Sequence, residues 1–240
     1  MFIFFSNGWY FDCACTRCSD KTECDTFMSA YICQGMRERE RYESIASLTS
    51  IIEDQDTCLG LVLAINSRDY MTSYKCVLCE KIFENKTVCR VKQEVEDILE
   101  KTSKTDLTEL EKLLEVNKTT LYSSHSIMLA IKRHLIYIYG RNPEMCIGSL
   151  LMKKIDFCKE LLKVYDVVVP GLTKERGLTM YELYLSCTQL GQGEDLLDLL
   201  KEAQQCLQHE RKGTFEYEVR TKIKFMVQYL NDDLFENKIN

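Results

Sequence analysis

Proline and glycine are scarce in this chain, which has two prolines and ten glycines among its 240 residues. Because both residues interrupt helices, their scarcity permits long helices. Long apolar runs are missing as well, and no stretch reaches the length that spans a bilayer. The apolar residues 1–5 lack a basic segment and are too few for the core of a signal peptide. We therefore expect a cytoplasmic or nuclear protein with no membrane partner.

Basic residues are outnumbered, because 31 Lys and Arg face 37 Asp and Glu and the formal net charge is -6. Since the recognition of phosphates normally needs a basic surface, no direct nucleic-acid partner is expected. The chain also lacks a phosphate-binding loop and a glycine-rich cofactor fingerprint. Its histidines (His125, His134 and His209) stand far along the sequence from most of the cysteines, and helix-surface or core positions suit them. No catalytic residues are predicted.

Cysteine, in contrast, is abundant, with 13 residues in the chain. In a reducing compartment these thiols are not expected to form disulfides. Most of them precede residue 90, and Cys89 is expected to be buried at the start of a helix. The later ones are expected to be small buried side chains on or beside apolar helix faces, and they are Cys146, Cys158, Cys187 and Cys206. The uneven distribution indicates two regions of different character.

The tightest cysteine group is Cys13, Cys15 and Cys18, which form a C-x-C-x2-C pattern. Three thiolates this close together can face one point, and zinc favours sulfur ligands in a tetrahedral set of four. A fourth ligand must therefore come from elsewhere, and Cys24 is the nearby candidate. We predict a zinc site on these cysteines.

A second group consists of Cys33, Cys58, Cys76 and Cys79, the last two with the spacing of a zinc knuckle. The charged and polar residues 36–57 could be looped out between Cys33 and Cys58. They form either an exposed insertion, which we favour, or a short surface helix. The alternative for this group is a set of buried free cysteines. A redox pair is less favoured because no thioredoxin-type strand and helix surround it.

From Val91 onward the apolar residues recur with the period of a helix. Asp106 is placed to cap one of these helices. Seven helices separated by short turns favour stacked antiparallel hairpins in a loosely tetratricopeptide-like array. We predict a mainly α fold with a cysteine-rich, zinc-binding N-terminal part. Its parts are a zinc segment at 1–24, a cysteine-rich segment at 25–90 with an insertion at 36–57, and a helical domain at 91–235.

Residues 9–20 (WYFDCACTRCSD) resemble the post-SET segment of SMYD proteins, the SET- and MYND-containing lysine methyltransferases. Residues 121–125, 139–141 and 169–179 resemble the C-terminal helical domain of arthropod SmydA-type members. The resemblance extends through nearly the whole chain. The chain is therefore similar to the C-terminal part of such a protein.

This resemblance implies a zinc ion held by Cys13, Cys15 and Cys18 together with a cysteine of the SET core. It also implies that the ring of Phe11 packs on the adenine of S-adenosylmethionine and that Trp9 lies near the lysine channel. S-adenosylmethionine is thus a cofactor only where the SET core is present.

The second cysteine group also has a counterpart in the resemblance. Cys76 and Cys79 match a further cysteine pair of SmydA-type proteins, whose partner pair would be Cys33 and Cys58, separated by the inserted residues 36–57. The MYND finger and the SET core, with its cofactor-binding loop, have no counterpart in this sequence. Because methyl transfer needs cofactor and amine aligned in a closed site, no methyltransferase activity is expected from this chain.

Three functions are compatible with these expectations. The first is a SMYD-like, zinc-binding and non-catalytic module whose helical groove binds a protein or peptide, with histone or chaperone tails as the partners that the resemblance implies. The second is a fragment of an active S-adenosylmethionine-dependent lysine methyltransferase of histones or other proteins. The third is a zinc-dependent adaptor.

Overall fold

The computed structural model describes residues 13–44, 58–141, 148–192 and 196–236. Most of these residues are helical, and the prediction of a mainly α fold is confirmed. None of the described helices combines the length and the apolar character that crossing a membrane requires. The described elements are α1 (Thr16–Ser19), β1 (Tyr31–Ile32), α2 (Cys33–Ser44), β2 (Leu61–Ala64), β3 (Tyr74–Cys76), β4 (Ile82–Phe83), α3 (Asn85–Lys101), α4 (Leu107–Asn117), α5 (Ser126–Ile138), α6 (Gly148–Val168), α7 (Lys174–Gln189), α8 (Leu196–Cys206) and α9 (Phe215–Glu236).

The chain divides into two compact units. The first comprises Met1–Lys101 and Leu113–Met128, and the second comprises Thr102–Lys112 and Leu129–Asn240. The limits between them therefore fall at the end of α3, inside α4 and inside α5. The strands and the early cysteines belong to the first unit, and helices α6 to α9 belong to the second.

An antiparallel sheet with the strand order β1-β2-β3-β4 lies in the first unit. In its register Tyr31 is opposite Val62, and Val62 is opposite Cys76. The strands are only two to four residues long, so the sheet has few ladder hydrogen bonds of its own. Helix α3 buries one face with residues at helical spacing, and these include Val88, Val91 and Val95.

The segment predicted as an exposed insertion begins inside a helix. Helix α2 runs from Cys33 to Ser44, and Met36 is 0% exposed. A Cβ at Gly35 would lie 2.4 Å from the Thr119 carbonyl oxygen, so glycine is what lets α2 approach that backbone. The expected exposure is thus wrong for Met36, and the alternative of a helix is found as far as Ser44. Residues 45–57 lie outside the described part of the chain.

The helices of the second unit pack on their sequence neighbours, α6 on α7, α7 on α8 and α8 on α9. A Cβ at Gly177 would lie 2.8 Å from the Cys206 Cβ, so this glycine allows the close approach of α7 and α8. The Thr173 hydroxyl caps α7 by accepting the Arg176 N–H at 3.4 Å. The core between these helices includes Leu178, Tyr181, Tyr184, Leu200, Ala203, Leu207, Val219 and Ile223. A tetratricopeptide-like repeat stays a prediction.

Two buried lysines connect successive helices of the second unit. Lys132 on α5 donates to Glu160 on α6 at 2.6 Å, and Lys154 on α6 donates to Glu182 on α7 at 2.5 Å. Both lysine side chains are only 5% exposed, so each ammonium depends on protein groups rather than on water for its solvation. Both pairs join residues 28 positions apart. The spacing between paired residues is therefore the same for α5 and α6 as for α6 and α7.

The cysteines on the helices were predicted to be buried. The prediction holds for Cys158 and Cys206, and Cys187 is half-buried. It is wrong for Cys89, which is exposed because the buried face of α3 runs through Val88 and Val91 instead. Cys146 lies outside the described residues.

His125 is a core residue, as its burial and its contacts show. It is 1% exposed, its Nδ1 accepts the Ile127 N–H at 3.2 Å, and the Tyr31 ring packs edge-on against it at 5.0 Å. Burial, assisted by the nearby Lys92 ammonium, lowers the pKa of His125 to about 3. The imidazole is therefore neutral at pH 7.

Candidate metal centres

Four thiols of the first unit converge on one point. The sulfur atoms of Cys33, Cys58, Cys76 and Cys79 all lie within 4.8 Å of one another. The Cys33 and Cys79 sulfurs are 3.6 Å apart, and the Cys58 and Cys76 sulfurs are 3.7 Å apart. This group, called here the four-cysteine cluster, is arranged so that it can hold a metal ion.

Secondary structure positions each of these thiols. Cys76 ends β3, Cys58 stands three residues before β2, and Cys33 is the first residue of α2. Pairing of β2 with β3 brings the chain that follows Cys58 beside Cys76. The Cys33 N–H donates to the Gly60 carbonyl at 3.0 Å, which ties the start of α2 to the same place. The N-terminal end of a helix also favours a thiolate.

The turn from Cys76 to Cys79 forms a knuckle between β3 and β4. The Cys76 N–H donates to the Lys81 carbonyl at 2.9 Å, and the Glu80 N–H donates to the Cys76 carbonyl at 3.1 Å. The Leu78 N–H points at the Cys76 sulfur, 3.4 Å away. Glu80 closes the turn with φ 60, a left-handed conformation that costs a residue with a side chain about 1 kcal/mol. The backbone is thus folded so that both sulfurs face the cluster.

Arg37 supplies positive charge to the four-cysteine cluster. It lies one helical turn after Cys33, and its Nη2 donates to the Cys79 sulfur at 2.6 Å. Burial raises the pKa of Cys33 and of Cys76. At Cys79 burial also acts upward, but hydrogen bonds from the Lys81 backbone and from Cys33 prevail and lower its pKa to about 6. Of these three thiols, Cys79 is therefore the one that ionises first.

Arg37→Gln is expected to make the four-cysteine cluster lose its metal roughly fivefold faster, because a charge-assisted hydrogen bond to a ligand sulfur is removed. The rate of metal transfer to a chromogenic chelator measures this. Arg37→Lys, which keeps the charge without the guanidinium fork, is the matched control and should retain most of the wild-type rate. Equal rates for Arg37→Gln and the wild type would show that the guanidinium does not act on the site.

Gly60 leaves the space that the Cys76 sulfur occupies. A Cβ at Gly60 would lie 2.6 Å from that sulfur and 2.9 Å from the Leu78 Cβ, closer than real contacts allow. In the sequence, Gly60 is marked only by its position two residues after Cys58, which does not by itself identify it as part of the site. Arg37 has no such signal, because nothing in the spacing of charged residues marks it as a partner of a sulfur.

Gly60→Ala is expected to weaken metal binding by roughly tenfold, because relieving the overlap displaces either β2 or the Cys76 side chain. Competition against a chelator of known affinity gives the change. Gly148→Ala at the start of α6 is the control, since its Cβ would meet only Leu190 Cδ2 at 3.9 Å. The close contact has no role in the site if both variants bind as tightly as the wild type.

A second cluster is formed by the sulfurs of Cys13, Cys15 and Cys18, which also lie within 4.8 Å of one another. The short helix α1 starts after Cys15 and turns Cys18 back towards the other two. Hydrogen bonds from the Cys18 backbone and the Cys13 thiol lower the pKa of Cys15 to about 7. Burial, reinforced by the neighbouring thiols, raises the pKa of Cys18 to about 12. This three-cysteine cluster can also hold a metal ion.

Cys24 belongs to neither cluster among the described residues. Its N–H donates to Asp20 Oδ2 at 2.7 Å, and the Thr22 N–H donates to Asp20 Oδ1 at 2.9 Å, so the Asp20 carboxylate holds this turn. Cys24 itself has φ 60. Trp9 and Phe11, the residues that the resemblance assigns to the cofactor, lie outside the described residues.

The fold and these clusters define a mainly helical protein with cysteine clusters that could bind a metal. No protein-family model matches the chain. Two isoforms of a fruit-fly protein, the SET domain-containing protein SmydA-8 of Drosophila melanogaster, are each 28% identical to it over 81 residues. The matched stretch covers 34% of this chain and only 14% of isoform B and 13% of isoform A. This distant similarity supports a relationship to SMYD-type proteins.

Proposed function

We propose that this chain is a zinc-binding, non-catalytic module related to the SMYD-type SET proteins, and that it binds protein or peptide partners. The single observation that carries the proposal is the four-cysteine cluster. In a tetrahedral zinc site with Zn–S bonds of about 2.3 Å, neighbouring sulfurs are about 3.8 Å apart. The Cys33–Cys79 and Cys58–Cys76 sulfur separations, 3.6 and 3.7 Å, match this geometry.

Zinc would stabilise the first unit as well as fill the cluster. The sheet consists of strands of two to four residues, and strands this short form few hydrogen bonds with which to be stable on their own. The four cysteines that would bind the zinc come from α2, from the residues just before β2, and from the β3–β4 turn. A metal that joins these segments contributes its binding free energy directly to folding.

The three-cysteine cluster is the weaker zinc site in this proposal. Structural zinc takes four ligands, and three thiols are found together here. A fourth ligand from a SET core, as the resemblance implies, would close it. Trp9 and Phe11 are proposed to lie beside S-adenosylmethionine only in a protein that contains such a core.

Protein binding is supported by the exposed face of α9. Phe225 is 67% exposed and Tyr229 is 69% exposed, four residues apart and thus on the same side of the helix. Large aromatic side chains on one exposed face favour contact with a protein. Histone and chaperone tails are the candidate peptides, in the cytoplasm or the nucleus, and neither nucleic acid nor membrane is proposed as a direct partner.

A second candidate function is a fragment of an active lysine methyltransferase, favoured by the similarity to a protein named for its SET domain. The two candidates differ in one observable. The observable is methyl transfer from S-adenosylmethionine to histone or peptide lysines by a longer chain that supplies the SET core. An active fragment regains this transfer in the longer chain, whereas the non-catalytic module does not.

The test of the proposal begins with native mass spectrometry of the chain purified without added metal, and at least one zinc ion per chain is expected. Fluorescence anisotropy with labelled histone-tail and chaperone-tail peptides then measures binding to the wild type and to Phe225→Ser/Tyr229→Ser, which is expected to bind more weakly. A metal-free, folded chain would refute the zinc site. Methyl transfer by the purified chain would refute the non-catalytic role.

A further inference from the structure

A small polar cavity opens in the second unit where α5 ends against α6 and α7. Its volume is about 140 Å³. This is smaller than the cavities that hold drug-sized ligands and suits a single functional group of a ligand. Charged or amide side chains form one part of its wall, and these are Arg141, Lys154, Glu182 and Gln189. Apolar or aromatic side chains form the other part, and these are Tyr137, Leu185 and Phe215.

Lys154 is the buried cation of this cavity. Its Nζ donates to Glu182 Oε2 at 2.5 Å and to the Tyr139 carbonyl at 2.9 Å. An ammonium has three N–H donors, so within the described residues one donor of Lys154 has no acceptor. Since only 5% of the side chain is exposed, bulk water is a poor substitute for that acceptor.

Gly140 keeps the space beside this ammonium open. The residue has φ +76, a conformation that favours glycine, and a Cβ there would lie 3.8 Å from Lys154 Nζ and 3.3 Å from Gln189 Oε1. Any larger residue would fill part of the cavity. The glycine therefore serves both the turn that follows α5 and access to the cation.

The charges around the cavity do not cancel. Lys154 and Arg141 contribute two positive charges, and Glu182 contributes one negative charge. Arg141 is exposed, and in the described part of the chain its guanidinium has no hydrogen-bonding or ionic partner. A ligand with one negative charge would make the site neutral, and the planar guanidinium fork can hold a carboxylate through two parallel hydrogen bonds.

We propose that this cavity binds the carboxylate group of a small ligand. One carboxylate oxygen accepts the remaining N–H of Lys154, and Arg141 donates to the same group from the mouth of the cavity. The Leu185 side chain and the Phe215 ring, which is 51% exposed, contact an apolar substituent next to the carboxylate. The carboxylate belongs either to a free small acid or to the C-terminus of a peptide. The inference is independent of the metal sites.

The test is a titration of the ¹⁵N-labelled, zinc-containing full chain, followed by amide chemical shifts. N-acetyl-phenylalanine is expected to shift the Gly140, Arg141 and Gln189 resonances saturably, and N-acetyl-phenylalaninamide, which lacks the charge, is expected not to. A phenylalanine-ended hexapeptide is titrated with a free and with an amidated C-terminus. Roughly tenfold tighter binding of the free-ended peptide than of the amino acid assigns the site to peptide ends, and equal affinity assigns it to small acids.

Arg141→Gln is expected to weaken the binding of N-acetyl-phenylalanine by roughly tenfold, because one charge-assisted hydrogen bond is lost. Arg211→Gln removes the same charge from an exposed turn of the same unit and is expected to leave the affinity unchanged. The proposal is overturned if the acid and its amide give the same response, if neither saturates, or if both variants lose affinity equally.

Discussion

Cys76→Ser is expected to abolish metal binding at the four-cysteine cluster and to destabilise the sheet of the first unit. Structural zinc sites contribute about 10 kcal/mol or more of binding free energy, which is comparable with the total stability of about 5–15 kcal/mol of a typical domain. Cys76 is also fully buried, at the end of β3 and 0% exposed. The loss of its thiolate therefore removes both the metal and the link between β3 and α2.

Two measurements check this result. The zinc content should fall by one equivalent relative to the wild type, and amide hydrogen exchange at Leu63 and Lys75, paired across β2 and β3, should become much faster. Cys89→Ser is the matched control, because Cys89 is an exposed cysteine of the same unit that belongs to neither cluster. Full zinc content with slow exchange in Cys76→Ser would mean that the cluster is only a set of free thiols.

Lys154→Met is expected to destabilise the second unit by about 3–5 kcal/mol, because it leaves the Glu182 carboxylate buried without its partner. The side chains are 5% and 14% exposed, so solvent screens the remaining charge only slightly. The free energy of unfolding from a denaturant titration gives the change. The double variant Lys154→Met/Glu182→Leu should recover most of the loss, since two apolar side chains replace the ion pair.

Lys92→Met provides the comparison on the surface. Lys92 pairs with Glu96 across one turn of α3 at 3.8 Å, and the two side chains are 29% and 39% exposed. Pairs of this kind contribute less than about 1 kcal/mol, so Lys92→Met should unfold almost as the wild type does. The buried pair has no special role in stability if Lys154→Met and Lys92→Met have the same effect.

Local patterns were sufficient to predict the helices from α3 onward. The apolar period from Val91 onward and the capping residue Asp106 depend only on near neighbours in the chain, and the Asp106 carboxylate does accept the Glu109 N–H at 3.1 Å. Helix α3 begins at Asn85, six residues before the apolar period that starts at Val91, because its first turn is polar. The strands were not predicted, since runs of two to four residues carry almost no periodic signal.

The two cysteine clusters differ in the same way, because one depends on neighbouring residues and the other on residues far apart in the chain. The spacing of Cys13, Cys15 and Cys18 is local, and the chain needs only the single turn of α1 to bring their sulfurs together. Cys33 and Cys58 are distant in sequence from Cys76, and their role was an assignment with an open alternative. It depends on strand register, on the Gly60 carbonyl that accepts the Cys33 N–H, and on space that only a glycine leaves.

By itself the sequence determined that this protein is mainly helical and that its cysteines gather in two groups able to bind a metal. The helices and the grouping of Cys13, Cys15 and Cys18 come from interactions between residues a few positions apart, whereas the convergence of Cys33, Cys58, Cys76 and Cys79 also needs the pairing of β2 with β3. Only the tertiary structure decided that Met36 is buried, that Arg37 reaches Cys79, and that Lys154 faces a cavity beside Gly140. These contacts join residues far apart in the chain, so they exist only after the elements have packed against one another.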